Sequence, residues 1–527
     1  MKVTGINYNN IYMFKNPIRH FLEFQQLEYQ ELDVQKMSWT KPVDFIIRRH
    51  YDNDGIRILK LPNALNYFNL YKKIEQTPNF FIIDRISILS RMSVNLETGD
   101  FSVFSYKKDM ERDLLKLVEY DVLLKLDIKS FYDSIYTHLL QRESNLNFPD
   151  RYITNCNEGS TKGILMGSYV SLFLAEKLLK SIAERFSKIL NDLSVEHSIK
   201  FFSDDFYIFT NKKNIDVVRN NFAIVLSEYG LLDSIDKTEI YDYLSYNNEN
   251  IIDKYWNTIL SIQRKHESQV SDKSRMLIAL NKIPSPLKYR MNFLNQLIYR
   301  KNKLSSKKSQ SILINGFFKS NFFINLDVSK YEINDSDLHN ILYIMKEHPE
   351  TCLYIVPKFK NFAYFTRVAT IYLQKYFKKA LNQPYQEEQM YYYYSLLELN
   401  KKTLFSSDYL EDVKKTNNQI LISYYIISGV YDSTIDSLLN AEEKYWFQNY
   451  HVILRKFTNG LANIDDLIKT YLIPDQCKES QKANYHDFYK QNITNKKVLI
   501  ELNISKRVKL YQKAKIDEKK YYSMIYR

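Results

Sequence analysis

The sequence predicts an α+β chain of two unlike halves, mixed strand and helix over residues 1–245 and all-α over residues 246–527. Three observations lead there. Short apolar or aromatic runs of strand length, at residues 122–126, 200–202 and 206–209, all fall in the first half. Beyond the polar turn at residues 246–250, strand-like alternation fades and helical spacing takes over. Charge divides at the same place: residues 1–245 hold 31 Lys and Arg against 33 Asp and Glu, whereas residues 246–527 hold 43 against 28. Glycine is scarce and Tyr, Asn, Lys and Ile are plentiful, as an AT-rich coding sequence would give, but that bias alone would spread the charge evenly. A basic half attracts polyanions by releasing their condensed counterions.

Residues 122–126 (Val-Leu-Leu-Lys-Leu) have the unbroken apolar character of a buried strand, with Asp127 at its end. Ser130 reads as the start of a helix carrying Phe131, Ile135 and Leu139. A carboxylate at a strand terminus is held rigidly toward a cleft, which suits a hard cation that takes oxygen ligands. Alone, Asp127 and Ser130 also read as a turn and a helix cap. A loop from Gly163 to Gly167 follows, then a helix with Leu172, Ala175, Leu178, Leu179 and Ile182 on its apolar side. Glycines let backbone approach a substrate closely, and a helix start offers unpaired N–H groups. Lys200-Phe201-Phe202 and Phe206-Tyr207-Ile208-Phe209 predict a hairpin that presents Ser203-Asp204-Asp205 at its tip. The Asp pair is not diagnostic by itself, since Asp465-Asp466 is another. A polar helix over residues 214–229 then leads to Asp236-Lys237-Thr238.

Together, in this order and spacing, the four segments resemble motifs A to D of reverse transcriptases. The resemblance implies a palm in which Asp127 and Asp204 hold two Mg²⁺ ions (or Mn²⁺), Asp205 completes or supports the site, and Ile128 lends a carbonyl. In such sites the ions lie about 3.5–4 Å apart and stabilise the attacking and leaving oxygens. Tyr132, five residues after Asp127, matches the aromatic gate that favours deoxynucleotides. Gly167 matches the second glycine of motif B, and Lys237 the motif D cation that meets the triphosphate. Phe202-Ser203-Asp204-Asp205 stands where Tyr-x-Asp-Asp is usual. Ile58-Leu59-Lys60-Leu61-Pro62 and Asp84-Arg85-Ile86-Ser87 resemble fingers segments, making Arg85, Arg91, Lys107 and Lys108 candidates for triphosphate contact.

Within that superfamily, Phe131 to His138 (FYDSIYTH) is similar to the bacterial abortive-infection and "unknown group" enzymes of antiphage defence. That likeness implies a HEAT-like helical domain in place of the thumb and a homo-oligomer. It also implies synthesis of single-stranded DNA from dNTPs without a conventional template, begun on one of the chain's own tyrosines. Nothing in the sequence singles out that tyrosine among 44. A departure concerns the template: Leu165-Met166 replaces the Pro-Gln of motif B and cannot make the glutamine's hydrogen bonds. Copying of a dedicated non-coding RNA is the alternative within this chemistry. A nucleic-acid-binding scaffold with an inactive palm is the alternative of another class, opposed by the intact aspartates.

Cys156, Cys352 and Cys477 are scattered and odd in number, which suits a reducing cytosol and disfavours structural zinc. Neither an N-terminal leader nor a span of bilayer length is apparent, so the expected location is cytoplasmic, without membrane. Tyr391-Tyr392-Tyr393-Tyr394 would point to different sides of a helix and are expected to pack rather than stack bases.

Overall fold

The computed structural model describes residue 14 and residues 17–24, 26–49, 55–76, 103–144, 149–202, 204–249, 251–284 and 286–513. The first described strands form an antiparallel hairpin, β1 (Val43–Arg48) and β2 (Ile56–Leu61), in which Val43 opposes Leu61. Helices α1 (Ala64–Gln76) and α2 (Val103–Glu119) lead to strand β3 (Val122–Asp127). Then come α3 (Phe131–Ser134), α4 (Thr137–Ser144), α5 (Pro149–Cys156) and the long α6 (Tyr169–Asp192). The hairpin β4 (His197–Phe202) and β5 (Asp205–Thr210) is followed by α7 (Ile215–Glu228), β6 (Glu239–Tyr241) and α8 (Tyr243–Glu249).

Strands β3 to β6 form one antiparallel sheet in the order β4-β5-β3-β6. Side chains alternate between its faces. Leu124, Leu126, Ile199, Phe201, Phe206 and Ile208 point into the main core. There Phe206 and Phe186 of α6 meet Phe222 of α7 at ring separations of 5.1 and 5.4 Å. On the other face, Leu123, Tyr207 and Phe209 form a smaller cluster with Met110 and Leu117 of α2 and Tyr246 of α8. Fully buried Asp113 ties α2 to this face, accepting from the Tyr246 hydroxyl (2.7 Å) and the Lys200 ammonium (3.2 Å).

From Ile251 onward the described elements are helical apart from two-residue strands at Tyr289–Arg290 and Tyr331–Glu332. They are α9 (Ile251–Ala279), α10 (Asn292–Lys301), α11 (Lys307–Phe318), α12 (Asn321–Ile324), α13 (Asp335–Glu347) and α14 (Cys352–Phe359). Next come α15 (Ala363–Leu381), α16 (Gln386–Leu404), α17 (Ser407–Lys415), α18 (Gln419–Ser428), α19 (Trp446–Thr458), α20 (Asp465–Tyr471) and α21 (Glu479–Thr494). Their lengths follow no fixed period. Tyr391, Tyr392, Tyr393 and Tyr394 of α16 are all buried.

The two halves share one core. The main cluster of buried apolar side chains runs from Phe14 to Val508. Polar contacts reinforce it: the Tyr485 hydroxyl donates to Asn66 Oδ1 (2.6 Å), the Asn63 amide to the Tyr489 hydroxyl (2.7 Å), and the Tyr424 hydroxyl to the Phe21 carbonyl (3.1 Å). The β1 edge is held by α16, where the Ile46 N–H donates to Gln386 (3.2 Å) and Arg48 pairs with Glu388 (2.6 Å).

Candidate active site

The sheet places Asp127 directly opposite Asp205, as the last pair in the β3–β5 register. Asp204 occupies the tight connection between β4 and β5, and its carbonyl accepts from the Ile128 N–H (3.3 Å). A two-residue connection between paired strands fixes register firmly, so the three aspartates cannot drift along the sheet. The chain after Asp127 is pinned as well: Ser234 N–H donates to the Asp127 carbonyl (2.8 Å) and Lys129 N–H to the Leu232 carbonyl (2.8 Å). These two bonds flank Ile128 opposite Asp233, bringing the loop that carries Lys237 onto the end of β3.

Burial, reinforced by the nearby Asp204 carboxylate, holds the Asp127 carboxyl above its ordinary range despite a hydrogen bond from Lys237. Burial also raises Asp205, with Asp204 and Asp127 adding repulsion and Lys125 opposing it. Like charges this close disfavour joint ionisation unless a cation intervenes. Two ammonium groups serve here. Lys237 Nζ lies 2.8 Å from Asp127 Oδ1, and Lys125 Nζ lies 3.5 Å from Asp205 Oδ2 and 3.3 Å from Glu239 Oε2. Lys125 was not singled out in the sequence, where it reads only as part of the strand-like run 122–126. Its signal was alternation: two residues before Asp127, it must share that residue's face.

The glycine loop packs against the segment that follows Asp127. Gly163 N–H donates to the Ile135 carbonyl (2.8 Å) and Ile164 N–H to the Tyr132 carbonyl (2.9 Å), joining the Tyr132 segment to the loop. The Tyr132 ring is half-buried and meets Phe131 edge-on at 5.6 Å. Gly167 has φ +101°, and a Cβ there would stand 3.1 Å from that of Leu59 on β2. The Lys60 N–H donates to the Met166 carbonyl (2.9 Å), so the hairpin β1–β2 rests on the loop. Helix α6 starts as expected, with Ser168 accepting from the Ser171 N–H.

Two details differ from the sequence reading. Ser130 stands at the N-cap position of α3, but with φ 47° and no side-chain cap bond. The single expected helix is broken between α3 and α4, because the Ile135 carbonyl bonds to Gly163 and Tyr136 pairs with Lys162 in a β-bridge. Arg85 and Arg91 lie outside the described residues, as do the side chains of Lys107 and Lys108.

Among the described residues, no group of three or more His, Cys, Asp or Glu side chains is gathered to hold a metal ion. Mg²⁺, however, is commonly held by one or two carboxylates plus substrate phosphates and waters. Raised, mutually repelling carboxyls with an ammonium already drawn to Asp127 fit that donor set. No helix among the described residues is long and apolar enough to cross a membrane.

No family model and no curated protein matches the chain. Solved structures similar to it include telomerase from Candida albicans in complex with a TWJ fragment of telomeric RNA, 12% identical over 79% of this chain and 66% of that one, TM-score 0.29. Another is an apo telomerase from Candida Tropicalis truncated of its C-terminal domain, 18% identical over 38% of this chain and 50% of that one, TM-score 0.26. The BmCPV RNA-dependent RNA polymerase at its elongation state is 9% identical over 89% of this chain and 44% of that one, TM-score 0.25. The chain thus spans one half to two thirds of the telomerase chains named here.

Proposed function

We propose that this chain is a reverse-transcriptase-like DNA polymerase that transfers deoxynucleotides at Asp127, Asp204 and Asp205. The observation that carries the reading is the pairing of Asp127 with Asp205 across β3 and β5, with Asp204 beside them in the β4–β5 turn. Mg²⁺ bound there by Asp127 and Asp204 would polarise the phosphoryl oxygens and stabilise charge on the attacking and departing oxygens. Asp205 is held by Lys125 and keeps the turn oriented. Lys237 screens Asp127 before substrate arrives and, half exposed, can swing from it toward a triphosphate. Tyr132, fixed through its carbonyl to the glycine loop, lies under the sugar and disfavours a 2′-hydroxyl.

The finer reading is an antiphage defence enzyme of the abortive-infection type, an oligomer that makes single-stranded DNA without a template and begins on its own tyrosine. The motif likeness of residues 131–138 and Leu165-Met166 in place of Pro-Gln support it. The test is to incubate the protein with each labelled dNTP and Mg²⁺, without nucleic acid, then denature it. Label that stays with protein and is released as DNA by proteinase supports priming on the chain. Product formed only with co-purified RNA, and free of protein, supports the templated alternative instead.

A further inference from the structure

One cavity among the described residues has none of the three aspartates in its lining. It lies between the end of β1 and helices α10, α11, α13, α15 and α16, and has a volume of about 350 Å³. That falls in the range of roughly 300–1,000 Å³ common for small-ligand pockets. Its wall carries six cations, Arg48, Arg49, Lys301, Lys307, Lys346 and Lys379.

Most of its carboxylates are already paired. Glu388 meets Arg48 (2.6 Å), Glu350 meets Lys319 (2.5 Å) and Glu347 meets Lys346 (3.5 Å). Lys301 is different. It is only 5% exposed, yet its ammonium has just the Tyr343 hydroxyl (3.0 Å) and ring as neighbours and no carboxylate partner among the described residues. An ammonium on the cavity wall without a carboxylate partner is available to an added anion. Exposed Lys379 at the mouth likewise has no ion-pair partner among the described residues. Glu387, also 5% exposed, accepts the Arg48 N–H with Oε1 while its buried Oε2 has no partner. Burial pushes this carboxyl up to about 8, so near neutral pH it is mostly a hydroxyl donor rather than a charge.

We propose that this cavity is a second anion site, separate from the palm, that takes an oligophosphate such as the phosphate chain of a nucleotide, with Lys301 on its floor and Lys379 at its mouth. Several cationic groups around a volume of this size suit phosphate oxygens, and about 350 Å³ favours a compact ligand over a passing nucleic-acid strand. The proposal does not depend on the palm reading.

The probe is sodium tripolyphosphate, titrated calorimetrically into the full chain in EDTA, which removes divalent ions from the palm. Saturable binding is expected, together with a rise in melting temperature. Lys379→Glu should weaken it by about tenfold or more, the loss of one charge-assisted contact. Lys188→Glu, at an exposed position of α6, should leave it within about twofold. Lys301→Met should lose the ligand-induced rise in melting temperature. If that variant does not fold, Lys346→Glu combined with Lys379→Glu, both at exposed positions, gives the same reading. A nucleotide displacing tripolyphosphate identifies the natural source as a nucleotide, and failure to displace it identifies a free polyphosphate. Absence of saturable binding to the wild type, equal weakening by Lys188→Glu, or binding only of oligonucleotides would overturn the proposal.

Discussion

At the residue scale, each aspartate has a different dependence on its neighbours. Asp205 leans on Lys125, so Asp205→Asn should reduce incorporation less than loss of Asp127 or Asp204. Equal inactivation by all three, in steady-state rates, would make Asp205 a direct metal ligand. Lys237 is half exposed in its pair with Asp127. Lys237→Gln should therefore leave stability within about 1 kcal/mol and raise KM for dNTP; an unchanged KM would confine Lys237 to service of Asp127. His451, which contacts none of these aspartates, is a fully buried titratable group. Its Nδ1 bonds to the Phe447 carbonyl (2.8 Å), its Nε2 accepts from the Leu499 N–H (3.2 Å), and burial lowers it to about 4. The unfolded chain binds the proton first as pH falls from about 6.5, so this contribution is intact above 6.5 and lost by about 4. On the order of 3 kcal/mol should disappear over that window. Urea titrations at pH 7 and 4.5 should show less acid sensitivity in His451→Gln than in the wild type.

At the element scale, the sequence was readable where pattern and structure obey the same rule. The hairpin around Asp204 forms as its aromatic arms require, and the helical spacing beyond residue 250 yields helices such as α15. Elements shaped by distant partners were not readable. The break between α3 and α4 depends on Gly163 claiming the Ile135 carbonyl, and Lys125 gains its meaning from Asp205 and Glu239 across the sheet. Gly167 joins these scales. Gly167→Ala would force a side chain into the left-handed region against Leu59, at a cost of about 1–3 kcal/mol. Urea denaturation should show this loss; an unchanged midpoint would mean that the glycine loop and β2 can separate freely. Glu387 gives the opposite pH signature to His451. Its folded form holds a proton that the unfolded chain releases near 4.5, so stability falls as pH rises from there to about 8, and then levels off. Glu387→Gln should flatten that fall.

At the scale of the whole molecule, the charge asymmetry visible in the sequence coexists with a core that ignores it. The basic half does not stand apart, since α16, α18 and α21 hold residues 21–66 through Gln386, Tyr424, Tyr485 and Tyr489. Such long-range pairing leaves no local trace, which is why the sequence showed two halves and not their joint core. Nucleic-acid affinity is therefore best probed in the full chain. Its log affinity for single strands should fall with log salt by roughly 0.7 per phosphate neutralised, and charge reversals beyond residue 250 should reduce that slope more than reversals before it. Equal effects would assign the basic excess to composition alone. The central claim, that Asp127 and Asp204 form a metal-dependent deoxynucleotide-transfer centre, is tested by Mg²⁺-dependent incorporation of labelled dNTPs by wild type, Asp127→Ala and Asp204→Ala, each verified as folded. Incorporation by the wild type that vanishes in both variants and in EDTA is the predicted result. Synthesis retained by either folded variant would contradict it.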